Sequence, residues 1–176
     1  MIQNNIKVAS DLKEYFNLHK DRLIGKEITG FFCTGGFFDY LTDTEIALEL
    51  EGGTILTIYY MTYSDIDFVI GSSNEYGSYT DTITSCFPDC ENYNGIFLTK
   101  ITDFPASGKH ITGISIEEFS DEFEISCATG ETRPAGGDYF MTISFILDDN
   151  TVLCICADDP ICDGYMNVWI EDELEN

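Results

Sequence analysis

Two matching hexapeptides constrain this chain more than any other feature. Residues 25–30 read GKEITG and residues 108–113 read GKHITG, an offset of 83. Further on, LELEGGTILTI at 48–58 resembles FILDDNTVLCI at 145–155, an offset of 97. A third stretch, 65–70, corresponds to 165–170. The 14 extra residues between the first two offsets fit an insertion around 128–137, a segment rich in Gly, Pro and Thr that reads as a loop. Three matches in the same order are the signature of an internal repeat.

Each copy then predicts the same local structure. A strand follows the GKxITG turn. Gly52-Gly53 and Asp149-Asn150 read as two-residue hairpin turns, where positive φ is cheap for Gly and tolerable for Asn. The flanking segments 45–51, 54–60, 139–148 and 151–157 are rich in Ile, Leu, Phe, Tyr and Thr, as strands are. In 45–51, Ile46, Leu48 and Leu50 alternate with Glu45, Ala47, Glu49 and Glu51, which predicts one apolar and one acidic face. The second hairpin is apolar on both faces, so it should lie deeper in its sheet. One helix is well signalled. Ser10 is a fitting N-cap, Leu12, Tyr15, Phe16, His19 and Leu23 share a stripe, and Gly25 ends the element. Residues 116–122 fit either a short helix or a strand. Residues 71–93, rich in Ser, Gly, Tyr and Asn, read as a hinge. The expected fold is α+β: a mostly antiparallel sheet built from two duplicated β-rich halves, 1–85 and 86–176, with the N-terminal helix packed on it. One continuous domain is the alternative to two.

Charge sets the function classes. Asp and Glu total 32 against 8 Lys and Arg, a formal net charge of -24. Direct nucleic-acid binding and docking on anionic membranes both need basic residues, and both are excluded as expectations. The charge is also segregated. Residues 1–26 carry five basic and three acidic side chains, and the rest carry three basic and 29 acidic. No Lys or Arg lies between Lys26 and Lys100. Spread over the surface expected of this mass, the average density falls about threefold short of duplex DNA. Polyanion mimicry therefore requires the carboxylates to cluster, or a homodimer to extend them.

The usual motifs of chemistry are missing. The seven cysteines, Cys33, Cys86, Cys90, Cys127, Cys154, Cys156 and Cys162, lack the spacing of zinc ribbons. They read as free, mostly buried thiols in a reducing cytoplasm, since no signal-peptide pattern precedes them. His19 falls on the apolar helix stripe, and His110 has Glu27 as its counterpart, which argues against a repeated ligand. The acidic turn 158–164 lacks the ligand alternation of an EF-hand, although it could hold adventitious Ca²⁺. The glycine pairs at 35–36 and 136–137 lack the Lys-Ser/Thr of a phosphate loop. The sequence assigns no catalytic residue, no metal ligand and no cofactor, and the chain does not read as an enzyme.

Two clusters remain. Glu117, Glu118, Asp121, Glu122 and Glu124 surround Phe119 and Phe123, and Glu171, Asp172, Glu173 and Glu175 follow Trp169. Both are candidate partner-binding surfaces, with carboxylates for Lys or Arg and an aromatic as a dry anchor. The aromatic segment 30–40 is a third, although its four Phe also suit a core. The expected function is an acidic inhibitor that occludes the basic nucleic-acid or nucleotide-binding surface of a nuclease or defence enzyme. In general type, though in no specific motif, the chain is similar to anti-defence, anti-restriction, anti-CRISPR and toxin-immunity proteins. The alternatives are an accessory module whose charge only keeps it soluble, and a hydrolase or small-ligand-binding domain with its site between two lobes.

Overall fold

In a computed structural model of the chain, residues 4–6, 9–33, 41–42, 45–61, 66–72, 82–84, 97–126, 130, 132–157 and 166–172 are described. In chain order they form β1 (Asn4–Ile6), α1 (Ala9–His19), a 3-10 turn (Lys20–Arg22), β2 (Ile28–Cys33), β3 (Leu41–Thr42), β4 (Ile46–Leu50), β5 (Thr54–Met61) and β6 (Ile66–Ser72). Next come β7 (Thr82–Thr84), β8 (Phe97–Lys100), β9 (Ile111–Ser126), β10 (Thr132–Leu147), β11 (Thr151–Ala157) and β12 (Met166–Asp172). One sheet has the order β1-β6-β5-β4-β2-β8-β7 and the other β3-β12-β11-β10-β9. Every strand pair is antiparallel. Each sheet borrows a strand: β3 joins the second sheet, and β8 flanks β2 in the first.

The GKxITG segments pair with each other, and their bonds come in matched sets. Gly25 N–H donates to the Ile111 carbonyl at 2.7 Å, and Gly108 N–H donates to that of Ile28 at 2.9 Å. Ile28 N–H donates to Lys109 at 2.9 Å, and Ile111 N–H to Lys26 at 3.0 Å. Glu27 faces His110 at the centre. Shifting each position by 83 turns the first bond of each set into the second. The bonds to the following hairpins match at the second offset. Glu51 N–H donates to Glu27 as Asp148 N–H does to His110, at 2.8 and 3.0 Å. The Thr29 hydroxyl donates to the Glu49 carbonyl as Thr112 does to that of Ile146, at 3.3 and 3.1 Å. A register shift falls between Ile28 and Gly30 against Leu50 and Glu49, and another between Ile111 and Gly113 against Leu147 and Ile146. Outward, Leu56 faces Ile70 as Leu153 faces Ile170.

α1 covers the core that the sheets share. Leu12, Phe16 and Leu23 are buried in one cluster with Phe31, Leu48 and Ile66 of the first sheet and Ile143, Phe145 and Val168 of the second. Phe31 stacks on Phe104 at 4.2 Å between ring centroids, and Phe16 meets Phe145 edge-on at 6.4 Å. His19 is half-buried against Tyr15. The helix begins at Ala9, so Ser10 lies inside it rather than capping it. Gly25, at φ 76°, turns the chain out of the helical region into the junction.

Residues 116–122 take the strand alternative throughout, because β9 runs on to Ser126. Four local expectations need correction. The supposed loop 128–137 is strand from Thr132, and Pro134 faces Glu124 in the ladder. Proline is tolerated there because, among the described residues, this part of β10 has a neighbour on one side only. Within the supposed hinge 71–93, Gly71 and Ser72 complete β6 and Thr82–Thr84 form β7 on β8, as β-branched residues favour; its other residues lie outside the described set. The hairpin turns have three residues, 51–53 and 148–150, with Gly53 at φ 79° and Asn150 at φ 63°. Finally, the acidic face of β4 is not a solvent face. Glu45 is 1% exposed, and Ala47 packs with Phe32, Ile55 and Leu98 in a second buried cluster.

Candidate partner-binding surface

β9 and β10 outrun their sheet. β11 pairs with β10 only over residues 142–146. Past a bulge between Phe140 and Thr142, β9 and β10 pair with each other alone among the described residues, out to Ser126 facing Thr132. This ribbon is about 30 Å long at the usual rise per residue. Four of the five acidic residues of the first predicted cluster lie on its β9 strand, and Glu117 sits at its root, inside the sheet. Glu117 faces Thr142, Glu118 faces Phe140, Asp121 faces Gly137, Glu122 faces Gly136 and Glu124 faces Pro134. Strand alternation assigns Glu117 and Asp121 to one parity and Glu118, Glu122 and Glu124 to the other. Opposite them, Arg133 offsets Asp138, leaving about one net charge per 7–8 Å of ribbon, against one per roughly 1.7 Å of duplex DNA.

The second cluster sits at the end of β12. Glu171 and Asp172 are exposed, and Glu173 and Glu175 lie outside the described residues. Glu171 is tied into the outer face of the sheet. Its Oε2 accepts the Trp169 indole N–H at 3.0 Å, and its Oε1 accepts the Cys154 thiol at 3.6 Å. Cys154 is 2% exposed. Burial first, then the neighbouring charges of Glu171 and Glu117, push its thiol up to about 11, against a lowering contact from the Ser144 hydroxyl. The structure thus brings Glu117 and Glu171, from the two separate clusters, to bear on one thiol. Beside them a cavity of about 470 Å³ is lined by Cys156, Asn167, Trp169 and Ile170. Period-two spacing of Cys154 with Cys156, and of Trp169 with Glu171, is the signal that would have joined these residues from sequence.

Several cations are tied down within the molecule. The Lys100 ammonium lies 3.4 Å from Glu49 and 5.4 Å from the Phe32 ring centre. Lys109 meets Asp149 at 2.8 Å. Hydrogen bonds from Lys109 and Thr151 hold the Asp149 carboxyl down at about 2, and the His110 backbone N–H and ring lower that of Asp148. The Arg22 guanidinium caps the edge of β6, donating to the Ile70 and Gly71 carbonyls at 3.1 and 2.7 Å. Lys13 and Lys20 border a groove of about 370 Å³ between α1 and β9, floored by Phe16, Ile114 and Ile116.

Cys33, Cys154 and Cys156 are free thiols. The other four cysteines, the turn 158–164 and the aromatic residues Phe37 and Phe38 lie outside the described residues. Among the described residues no group of three or more His, Cys, Asp or Glu could hold a metal ion. Nor is any helix among them long and apolar enough to cross a membrane. Comparison with known families, characterised proteins and solved structures finds no match to this chain.

Proposed function

We propose that this protein is an acidic inhibitor that occludes a basic nucleic-acid or nucleotide-binding surface on a nuclease or defence enzyme. The observation that carries this reading is the β9–β10 ribbon, which extends four carboxylates of β9 beyond the described part of the packed sheet, with Glu117 at its root. A two-stranded ribbon is marginal by itself, so an elongated one gains from a partner to lie on. Its linear charge is about a quarter that of the duplex, which favours pairing with individual Lys and Arg side chains over copying a DNA helix. Whole-molecule charge adds attraction at long range, with one net charge per roughly 410 Å² of surface. The free thiols fit a cytoplasmic setting.

The same reading includes a duplicated origin for the halves 1–85 and 86–176. The matched bonds at offsets of 83 and 97, and the matched bulges, support it. In this view each half is a four-strand meander, and the GKxITG segments join the two about a local two-fold axis.

The test compares the native chain with a variant carrying amides at Glu117, Glu118, Asp121, Glu122 and Glu124. Each is used for capture from the source cell at about 50 and 300 mM salt, where surface attraction differs strongly. A nuclease or nucleic-acid enzyme should be retained at low salt by the native chain alone, and its activity should fall only when that chain is added. Capture of nothing basic, or inhibition unchanged by the five amides, overturns the inhibitor.

The groove bordered by Lys13 and Lys20 favours a second reading, a binding site for an amphipathic anion. A saturable thermal shift with medium-chain carboxylates, lost in Lys20→Gln, would support it.

A further inference from the structure

The chain shows twice how it holds its own cations. Arg22 donates to two successive carbonyls at the edge of β6, Ile70 and Gly71. Lys100 lies between a carboxylate, Glu49, and an aromatic ring, Phe32. By register, the β12 positions matching Ile70 and Gly71 are Ile170 and Glu171, since Leu56 and Ile55 face the former pair as Leu153 and Val152 face the latter. Among the described residues, that part of β12 is an edge. β3 pairs with β12 only at Met166 and Asn167, so Val168–Asp172 has β11 alone beside it among the described residues. The residue that the offset of 83 sets against Arg22 is Pro105, which carries no cation. At this edge the structure instead presents the elements of both precedents: strand carbonyls, the half-buried Trp169 indole, the exposed Glu171 carboxylate bonded to it, and the 470 Å³ cavity alongside.

We propose that the cavity lined by Cys156, Asn167, Trp169 and Ile170, with the Glu171 carboxylate bonded to Trp169 beside it, receives an arginine side chain of a basic partner protein. This rests on the reading of the molecule as a binder of basic surfaces, and it names a docking point that the ribbon does not supply. Arginine suits the position better than lysine. Its planar guanidinium can stack on an indole while donating in parallel to a carboxylate or to strand carbonyls, whereas an ammonium acts as a point charge. The bond from Trp169 to Glu171 fixes the indole beside the carboxylate before anything binds, which lowers the ordering cost of docking.

Trp169 is the single tryptophan of the chain and so reports on its own site. The full chain is titrated at low salt with acetyl-Gly-Arg-Gly-amide and with the matching lysine peptide. Trp169 emission and the single indole N–H resonance are followed. A saturable response is expected, with half-saturation about tenfold lower for the arginine peptide, the difference that stacking and two-point donation imply. Glu171→Gln should weaken the arginine peptide about tenfold, while Glu14→Gln, the same charge change on α1, should leave it unaltered. The native chain gives the resonance readout even if Glu171→Gln folds poorly. Equal responses to arginine and lysine peptides, equal effects of the two variants, or an indole resonance that does not move, overturn the proposal. The two readings fail separately. If the peptide has no effect at Trp169 while the five-amide ribbon variant still loses its partner, only the arginine site is wrong. If the arginine peptide seats but no basic enzyme is captured, only the inhibitor is wrong.

Discussion

Substituting alanine for Gly25 and, separately, for Gly108 tests the junction with two equivalent perturbations. Both residues have backbone angles in the left-handed region, φ 76° and 83°, and a Cβ added at either meets nothing within 4 Å. The cost is therefore conformational, free of any clash. Holding a non-glycine residue there costs about 1–2 kcal/mol. Replacing Gly also removes disorder from the unfolded chain and returns about 0.4–1 kcal/mol. The net expectation is about 1 kcal/mol at each site. For a chain of this size that lowers Tm by roughly 2–4 °C. Asparagine, which tolerates the left-handed region, should cost less than alanine at both positions. The assay is thermal and urea unfolding of the four single variants, with unchanged m-values as the check that the folded form is the same. The sharp part is the equality. Gly25 and Gly108 donate equivalent bonds to Ile111 and Ile28, so the two alanine costs should agree within about 0.5 kcal/mol. Neutral or stabilising substitutions would show that φ is not held positive. A twofold or larger inequality would show that the two segments are not the same structure.

Three further outcomes follow from the site and the core. Asp149 has its carboxyl held down at about 2, below its unfolded value near 3.8, so its contribution is present above pH 3.8 and is lost as pH falls towards 2. Asp149→Asn should therefore lower Tm at pH 7, and the gap from the native chain should close between pH 4 and pH 2. Cys154, raised to about 11, should resist alkylation at pH 8 by peptide mapping; Glu171→Gln removes a charge that raises it and should speed labelling. Phe145→Ala removes a fully buried ring from the shared core and should cost about 3–5 kcal/mol in urea unfolding.

What was legible in the sequence was local and periodic. The helix stripe of Leu12, Phe16 and Leu23 is buried as spacing implied, and Asn150 adopts the positive φ that its turn needed. What was not legible depended on neighbours distant in sequence. Pro134 and the glycines after it read as loop because local composition does not reveal a 16-residue partner strand that carries them as an edge. Glu45 read as part of an acidic face because alternation shows that two faces differ, but not whether the second is covered; here Glu45 is buried, and Ala47 of the same face clusters with Phe32 and Leu98. The candidate site divided in the same way. Residues 117–124 were visible as a charge run, but their place on a ribbon was not. Cys154 on β11 lies 15 residues before Trp169 and 17 before Glu171 on β12, and only the β11–β12 register brings the thiol to the carboxylate.

That register also bears on how a chain of net charge -24 can be both stable and selective. Self-repulsion falls where a cation pairs with a nearby carboxylate, as Lys100 does with Glu49 and Lys109 with Asp149, while Arg22 donates to carbonyls at the β6 edge. All three contacts lie on the packed body or at the junction of the sheets. By sequence the ribbon carries Arg133 and five carboxylates on its two strands, and at the end of β12 Glu171 is bonded to an indole and a thiol, neither of which cancels its charge. The pairs at Lys100 and Lys109 therefore relieve repulsion where the packed body and the junction of the sheets must hold together, while Glu171 keeps its charge at the end of β12.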